Sequence, residues 1–322
     1  MIRLGFQFDL RNPPGWRRPW TSLYSSALDD IADAERRGVD SVWLTEHHMF
    51  EDGYLSQPFT FAAAVAARTR RVRIGTAVYL AALRPAIQVA EEIAVVDILS
   101  GGRVEPGFGA GYRVPEFEAF GADLSTRFDV TDNRVRQLRE LWAHKVVPPP
   151  VQPEMPFWLG YRGPKGAERA GRIGVGLLAL DPSLLPRYLA GLDAAGHDRS
   201  AARMGGLINI LVAEDVDEGW RQVMPFLKHH VASYRHYAVE GTARIRPPRP
   251  VDDEMARAGG GIAGRFEVLT PDDAVGFVSH KTAGLPVTDL FFWHSIAGMT
   301  GSMIEEHRRL LIDDVFPRLR QL

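Results

Sequence analysis

The stretch TEHH, residues 45–48, places an acid and two histidines directly after the apolar run VDSVWL. A neutral imidazole with a carboxylate behind it can act as a general base or donate a hydrogen bond to a reactive oxygen. A lone histidine here would more often cap a helix or bind a loop carbonyl. Because burying three titratable side chains together is costly, Glu46, His47 and His48 favour a chemical role.

Strand geometry limits what the two histidines can do. Successive strand residues point to opposite sides, so at most one histidine is expected to face a common site. Adjacent residues chelate one ion poorly, and no HExxH or His-x-His pattern occurs. The sequence therefore predicts one active imidazole and no metal site, with a metal-dependent hydrolase as a remote alternative.

Two glycine-rich segments carry further candidates. In GFGAGYRVPEFEAFG (107–121) the glycines would let a cofactor approach bare backbone, although a tight strand-to-loop bend explains them equally well. In LGYRGPKGAERAGRIG (159–174), Arg162 and Lys165 stand where a helix begins near Pro164. Helix N-termini bind anions, so this turn is a candidate phosphate site, although charged turns facing solvent are commoner.

These motifs follow short apolar segments that alternate with helical ones. The predicted strands are 2–8, 41–45, 72–80, 103–110, 157–161, 175–180, 206–213 and 289–294. The predicted helices are 20–37, 57–69, 85–100, 125–144, 164–173, 184–195, 215–238, 271–283 and 302–319. Strands that are apolar throughout must be covered on both faces, as in parallel α/β sheets.

Eight strand–helix pairs, with a second helix at 271–283 after the seventh strand, predict at this length an α/β fold, a (β/α)8 TIM barrel forming a single domain over residues 1–322. Residues 240–265, rich in Gly, Pro and Arg, are predicted to be an inserted loop before the last strand. A doubly wound open sheet is the alternative, but no GxGxxG follows the first strand.

Composition excludes several classes of function. The net charge of −2 carries no basic or acidic block, so neither a nucleic acid nor a membrane is an expected partner. The chain has no cysteine, which excludes disulfides, thiolate metal sites and a cysteine nucleophile. The N-terminus looks like a strand rather than a signal peptide, and a cytoplasmic protein is expected.

In a barrel of this kind, chemistry occurs at the C-terminal ends of the strands. Polar side chains predicted at those ends form a ring that suits a large, planar, polar ligand. Four aromatic or imidazole residues are candidates for a substrate wall, although each could equally pack in the core: Tyr79, Tyr112, Trp293 and His294.

Several of these segments together resemble a known family. WLTEHH (43–48), residues 74–121, PFWLGYRGPKGAERAGRIG (156–174) and the stretch from VTDLFFWH to FPRLR (287–320) are similar to the bacterial luciferase-like monooxygenases. These are flavin-dependent (β/α)8 barrels, and the resemblance runs through nearly the whole chain. The long segment 74–121 is its most specific part.

The resemblance implies roles for individual residues. His47 would be the catalytic imidazole beside the reactive edge of the flavin. A non-prolyl cis peptide between Ala77 and Val78 would support the flavin ring. The residues expected to flank the ring are Gly109, Gly111 and Tyr112, and those expected to hold its phosphate are Tyr161, Arg162, Gly163 and Lys165.

Two positions depart from the family pattern. Ala110 stands where luciferase carries an arginine, so Arg162 or Lys165 is expected to supply the missing charge. Pro106 interrupts the fourth strand and removes a backbone donor, which predicts a bulge.

The resemblance implies a two-component monooxygenase. Reduced FMN would come from a separate flavin reductase, oxygen would add to it as a C4a-peroxide, and a small organic substrate would be oxidised under residues 240–265 acting as a lid. A homodimer is expected. One alternative is an F420-dependent oxidoreductase that transfers hydride, although the EHH form favours the oxygenase branch. Another alternative is a flavin-binding partner subunit without catalysis of its own.

Overall fold

Parallel strands form the centre of the molecule. The computed structural model describes residues 2–247, 249–260 and 263–321. The strands of the central sheet are β1 (Arg3–Phe8), β2 (Ser41–Leu44), β3 (Arg73–Thr76), β4 (Val104–Glu105), β5 (Gly107–Phe108), β6 (Trp158–Leu159), β7 (Gly176–Leu178), β8 (Met204–Ile208) and β11 (Val287–Trp293). They pair in the order β4-β3-β2-β1-β11-β8-β7-β6-β5.

The two outermost segments of this order, β4 and β5, are consecutive in the chain and are separated by Pro106. They are two halves of one strand. The first half pairs with β3 through Val104 and Ile74, and the second pairs with β6 through Gly107 and Trp158. Proline cannot donate to the ladder, which explains the interruption. The sheet therefore closes through its fourth strand, and the predicted (β/α)8 TIM barrel is confirmed.

Helices surround the barrel and return the chain to its N-terminal end. They are α1 (Trp20–Arg36), α2 (Pro58–Arg68), α3 (Ala86–Ser100), α4 (Val114–Phe120), α5 (Arg127–His144), α6 (Gly163–Ile173), α7 (Leu185–Ala194), α8 (Val216–Tyr237), α9 (Asp253–Ala258), α10 (Pro271–Thr282), α11 (Gly301–Arg309) and α12 (Phe316–Leu319). No helix in the described part of the chain is long and apolar enough to span a membrane.

Aromatic side chains fill the barrel interior. The Trp43 ring stacks on Phe291 with centroids 4.7 Å apart and meets Trp158 edge-on at 5.9 Å. A Cβ added to Gly75 or Gly176 would come within 2.4 Å of one of the two indoles, so these strands need glycine there. The filled centre directs any ligand towards an end of the barrel.

Ion pairs close the N-terminal end of the barrel. Arg3 donates to Asp289 at 2.7 Å and pairs with Glu105, which also accepts from the indole of Trp158 at 2.8 Å. Glu105 pairs with Arg73 as well. Both carboxylates are buried. A ligand can therefore enter at the C-terminal rim, where the candidate residues lie.

The second half of the chain differs from prediction in two places. The predicted strand 206–213 divides into β8 and a short β9 (Ile210–Val212), which pairs in parallel with β10 (Glu267–Leu269) outside the barrel. The predicted inserted loop contains α9, whose first turn is capped by Asp252 accepting from Met255 N. The single-domain extent and the lid role of residues 240–265 stay predictions.

Candidate functional site

A cavity of about 700 Å³ lies at the C-terminal rim, within the range of cofactor and substrate sites. Most residues singled out from the sequence contribute to its wall. Those that line it are His47, Ala77, Val78, Gly109, Gly111, Tyr112, Tyr161, Arg162, Gly163 and Trp293.

The imidazole of His47 is held on both sides. Its Nδ1 lies 2.9 Å from Oε1 of Glu116, a fully buried carboxylate on α4, and its Nε2 lies 3.1 Å from the hydroxyl of Tyr112. The ring also stacks on Phe50 with centroids 4.7 Å apart. Burial raises the pKa of Tyr112 far above its ordinary value, so this hydroxyl stays a donor. His47 therefore donates from Nδ1 to Glu116 and accepts at Nε2 from Tyr112, whose side chain also lines the cavity.

The neighbouring His48 points away from the cavity, in the loop that follows the end of β2 at Leu44. Its Nε2 lies 2.8 Å from Oε1 of Glu46, and its ring packs on Phe120 outside the cavity. Glu46 also accepts from Arg84 and from the Leu80 backbone, both at 2.6 Å. Glu46, the acid of the TEHH stretch, therefore binds His48 and the loop after β3 rather than the ring of His47.

The carboxylate behind His47 comes instead from Glu116, a residue that sequence reasoning missed. Its Oε1 accepts from the His48 backbone at 2.8 Å as well as from the His47 ring, while its Oε2 has no partner among the described residues. Glu116 lies within the quoted segment 107–121. In that segment the glycines were given a role, whereas the acidic residue that follows them was not.

The cis peptide implied by the resemblance is present between Ala77 and Val78. The Val78 side chain lies against two neighbouring glycines. A Cβ added to Gly109 or Gly160 would come within 2.3 or 2.4 Å of a Val78 methyl. These glycines line the cavity, but their lack of a side chain is required by Val78 rather than by a cofactor.

One end of the cavity is suited to an anion. Gly163, with φ +70°, lines this end and begins α6, whose first turn has no side-chain cap, so its backbone N–H groups are available to an anion. Arg162 and Arg127 line the same end, and Nε of Arg127 is buried without a partner among the described residues. Two cations, a helix N-terminus and an orphaned donor fit a phosphate or carboxylate group.

Two of the charged residues differ from expectation. Lys165 is exposed and lies outside the cavity, because each helical residue turns about 100° from the last and the second residue past Gly163 faces solvent. The sequence did not single out Arg127, which begins α5 after a short turn capped by Asp123. An arginine in the first turn of the predicted helix 125–144 was the feature that could have identified it.

Two predicted wall residues require correction, because Tyr79 and His294 lie outside the cavity. The Tyr79 hydroxyl donates to Glu92 at 2.8 Å, against the surrounding helices. The His294 ring stacks on Phe8 with centroids 4.4 Å apart, near Asp30 of α1. Both side chains point outward to the helical layer, whereas Trp293 and Tyr112 point inward.

The other end of the cavity is aromatic and uncharged. The Trp293 indole donates to Asn209 Oδ1 at 3.0 Å, and the hydroxyls of Tyr54 and Tyr234 lie 2.8 Å apart. His230 and residues 263, 264 and 266 complete this wall. Apart from Trp293, none of these residues was singled out from the sequence. Within the described ranges, no group of three or more His, Asp or Glu residues could hold a metal ion.

The chain is similar to several known proteins. Residues 15–278 match the family model described as luciferase-like monooxygenase. The F420-dependent glucose-6-phosphate dehydrogenase of Amycolatopsis mediterranei is 28% identical over 331 residues, covering 90% of this chain and 92% of the relative. The oxygenase component of a flavin-dependent trigonelline monooxygenase from Acinetobacter baylyi is 28% identical over 169 residues, covering 47% of each chain.

A solved structure shares the fold over almost the full length. The monooxygenase RslO1 from Streptomyces bottropensis has a TM-score of 0.78 at 23% identity and covers 98% of this chain and 99% of its own. The relatives by sequence include both an F420-dependent and a flavin-dependent enzyme.

Proposed function

Because the chain belongs to the luciferase-like monooxygenase family, we propose that it is the oxygenase of a two-component system. It uses reduced FMN from a separate reductase, together with molecular oxygen, to oxidise a small organic molecule. The observation that carries the proposal is the position of His47, whose Nε2 faces the cavity while Nδ1 is bound to buried Glu116.

The cavity fits a phosphorylated flavin. The wall at Ala77 and Val78 would support the ring, and the N-terminus of α6 with Arg127 and Arg162 would hold the phosphate. When bound, reduced FMN supplies the electrons that activate oxygen. The imidazole of His47 holds or moves a proton at Nε2, and the Tyr112 hydroxyl beside it can relay that proton.

The protein must also exclude water from the cavity. The walls of the cavity are largely apolar, and residues 263, 264 and 266 contribute to them. A dry site suppresses the side reaction that would release hydrogen peroxide in place of oxidised substrate. We therefore propose that residues 240–265 act as a lid.

An F420-dependent dehydrogenase is the second candidate function. It is favoured by the relative of that type, which covers 90% of this chain. The anion-binding end could equally hold the acidic tail of F420, since it recognises charge. A third candidate, a flavin-binding subunit without catalysis, is disfavoured because His47 keeps both a buried acid and a hydroxyl as partners.

Titration with both cofactors separates these candidates. The purified full chain would be titrated anaerobically with reduced FMN and with reduced F420, and oxygen uptake would then be followed against free reduced FMN as the control. We expect binding of reduced FMN and oxygen uptake that differs from the control. Tight F420 binding without any change in oxygen uptake would contradict the monooxygenase proposal.

A homodimer is proposed for the assembly. Helix α3 exposes apolar side chains at helical spacing, with Val95 and Leu99 51% and 55% exposed. Burying such a stripe against a second copy would remove it from water. Light scattering should give the mass of two 35.8 kDa chains, and a mass of one chain would contradict this proposal.

A further inference from the structure

His230 lies at the uncharged end of the cavity, away from the anion-binding end. It belongs to α8, is 5% exposed, and lines the cavity. Its ring packs edge-on between Tyr234 and Trp293, with centroids 4.8 and 5.3 Å away. The Tyr234 ring in turn lies 6.4 Å from that of His47. A molecule that contacts His230 would therefore lie one aromatic ring away from His47.

A buried arginine determines which nitrogen of His230 carries the proton. Nη1 of Arg11 lies 3.3 Å from Nδ1 of His230, and a guanidinium can only donate. Nδ1 must therefore accept, which leaves the ring hydrogen on Nε2. Arg11 is itself held by Asp52 at 2.7 Å and by Ser233 at 2.6 Å. Burial and the charge of Arg11 lower the pKa of His230 well below its ordinary value, so the ring is neutral.

The hydrogen on Nε2 is directed at the cavity. His230 lines the cavity whereas Arg11 lies behind it, so the nitrogen opposite Nδ1 faces inward. Within residues 2–247, 249–260 and 263–321, no group accepts this hydrogen. The donor is thus fixed in place by Arg11 and is available to a ligand.

A second donor lies on the other side of Trp293. Since Asn209 Oδ1 accepts from the indole, its amide nitrogen points towards Gly264, where an added Cβ would come within 2.4 Å of it. The cations of the cavity wall, Arg127 and Arg162, are at the opposite end beside Gly163. Within the described residues, no Lys or Arg lines the end around Trp293.

We propose that His230 binds the substrate and selects uncharged molecules with a carbonyl-type acceptor oxygen carried on an apolar or aromatic body. The hydrogen on Nε2 donates to that oxygen, and the rings of Tyr234 and Trp293 contact the apolar part. A phosphorylated sugar is disfavoured because this end offers its charge no cation. The inference deepens the proposed function and rests on it for the position of the cofactor.

The tautomer of His230 can be measured directly. Long-range ¹H–¹⁵N spectra of ¹⁵N-histidine-labelled full chain, assigned with His230→Phe, report which ring nitrogen is protonated. We expect a neutral ring with hydrogen on Nε2 at neutral pH. A ring protonated on Nδ1, or on both nitrogens, would overturn the inference.

A matched pair of probes tests recognition of the acceptor oxygen. Acetophenone and α-methylstyrene have nearly the same shape, and the carbonyl oxygen of the first is a CH₂ group in the second. With saturating FMN, acetophenone should bind roughly 5- to 10-fold more tightly, the effect of one buried hydrogen bond. His230→Phe should abolish this preference, and His230→Gln should restore part of it, since its amide oxygen can accept from Arg11 while its nitrogen donates. His236→Phe, an exposed position on the same helix, is the control.

The outcomes separate this inference from the proposed function. Equal binding of the two probes, no binding of acetophenone, or a preference that survives in His230→Phe would overturn the inference. Displacement of acetophenone by glucose 6-phosphate in the presence of FMN would do the same. A preference that persists in the cofactor-free chain while FMN fails to bind would contradict the proposed function and leave the role of His230 supported.

Discussion

The two ends of the cavity fix their polar groups in different ways. At the anion-binding end, which we propose to be the cofactor end, formal charge reaches the wall through Arg127, Arg162 and the N-terminus of α6. At the uncharged end around Trp293, which we propose to be the substrate end, Arg11 lies behind the wall. The polar groups that face inward there are neutral, among them the ring of His230 and the amide of Asn209. Charge at the surface of a site binds an ion, whereas charge behind a neutral group orients that group. The same pocket can thus hold a charged cofactor and an uncharged substrate.

His47 lies between the two ends, and its loss should have the largest effect. His47→Ala removes the group that holds a proton at the reacting centre, so turnover should fall about 10²- to 10⁴-fold. FMN affinity should stay within about twofold, because the charges proposed to hold its phosphate remain. Product formation at saturating reduced FMN measures the first and fluorescence titration the second. His280→Ala, at an exposed position on α10, is the control, and turnover equal to it would contradict the role of His47.

Glu116 tests whether the imidazole depends on its buried partner. Glu116→Ala removes the acceptor of the His47 and His48 hydrogens, so turnover should fall by about 10- to 100-fold. In Glu116→Gln the amide oxygen can take the place of Oε1, which alone accepts both hydrogens. The loss should therefore be smaller, with a changed pH profile of turnover because the negative charge is gone. Equal losses in the two variants would indicate a packing role instead.

The cofactor end can be tested with a pair of cations. Arg127→Ala removes a charged donor from the cavity wall and should weaken FMN binding by roughly 10-fold or more, the effect of one hydrogen bond to a charged group. Lys165→Ala is the matched control, since that side chain is exposed and lies outside the cavity. Weaker FMN binding in the Lys165 variant than in the Arg127 variant would contradict the role of Arg127 in binding the phosphate.

The substrate end has a buried acid behind it, next to Arg11. Burial raises the pKa of Asp9 to about 6, although Arg11 opposes this, and one carboxyl oxygen of Asp9 has no partner among the described residues. Since the ordinary pKa is 3.8, the folded chain binds more protons than the unfolded chain between these values. The contribution of Asp9 to stability therefore falls as pH rises from about 4 to 6.

Asp9→Asn should remove this pH-dependent penalty. The free energy of unfolding of the variant, relative to the native sequence, should be higher at pH 7.5 than at pH 4 by roughly 2 kcal/mol. Urea unfolding at the two pH values measures the difference. The same relative stability at both pH values would show that Asp9 is ionised without cost in the folded chain.

The sequence predicts one end of the cavity much better than the other. The barrel, the family and the placement of His47, Gly163 and Arg162 in one cavity follow from apolar periodicity and from contiguous motifs. Glu116 was missed because it contacts His47 from 69 residues further along the chain, and such contacts leave no periodic signal. The substrate end comes from α8 and residues 263–266, which meet only after the barrel has closed.

The errors at Tyr79 and His294 have a simpler cause. Trp293 and His294 are adjacent, so strand alternation allows only one of them to face inward. Tyr79 lies beyond the end of β3 at Thr76, so the alternation of that strand could not be extended to it. Placing a side chain on one face of a strand requires the register to within one residue, which apolar patterning alone does not provide.

A crystal structure of the full chain with FMN, prepared without oxygen, tests the central claim most directly. The proposal predicts that the flavin ring lies against Ala77 and Val78, that its phosphate meets the N-terminus of α6 and Arg127, and that Nε2 of His47 contacts the reactive edge of the ring. An FMN molecule bound elsewhere, or bound here with His47 directed away from the ring, would contradict it.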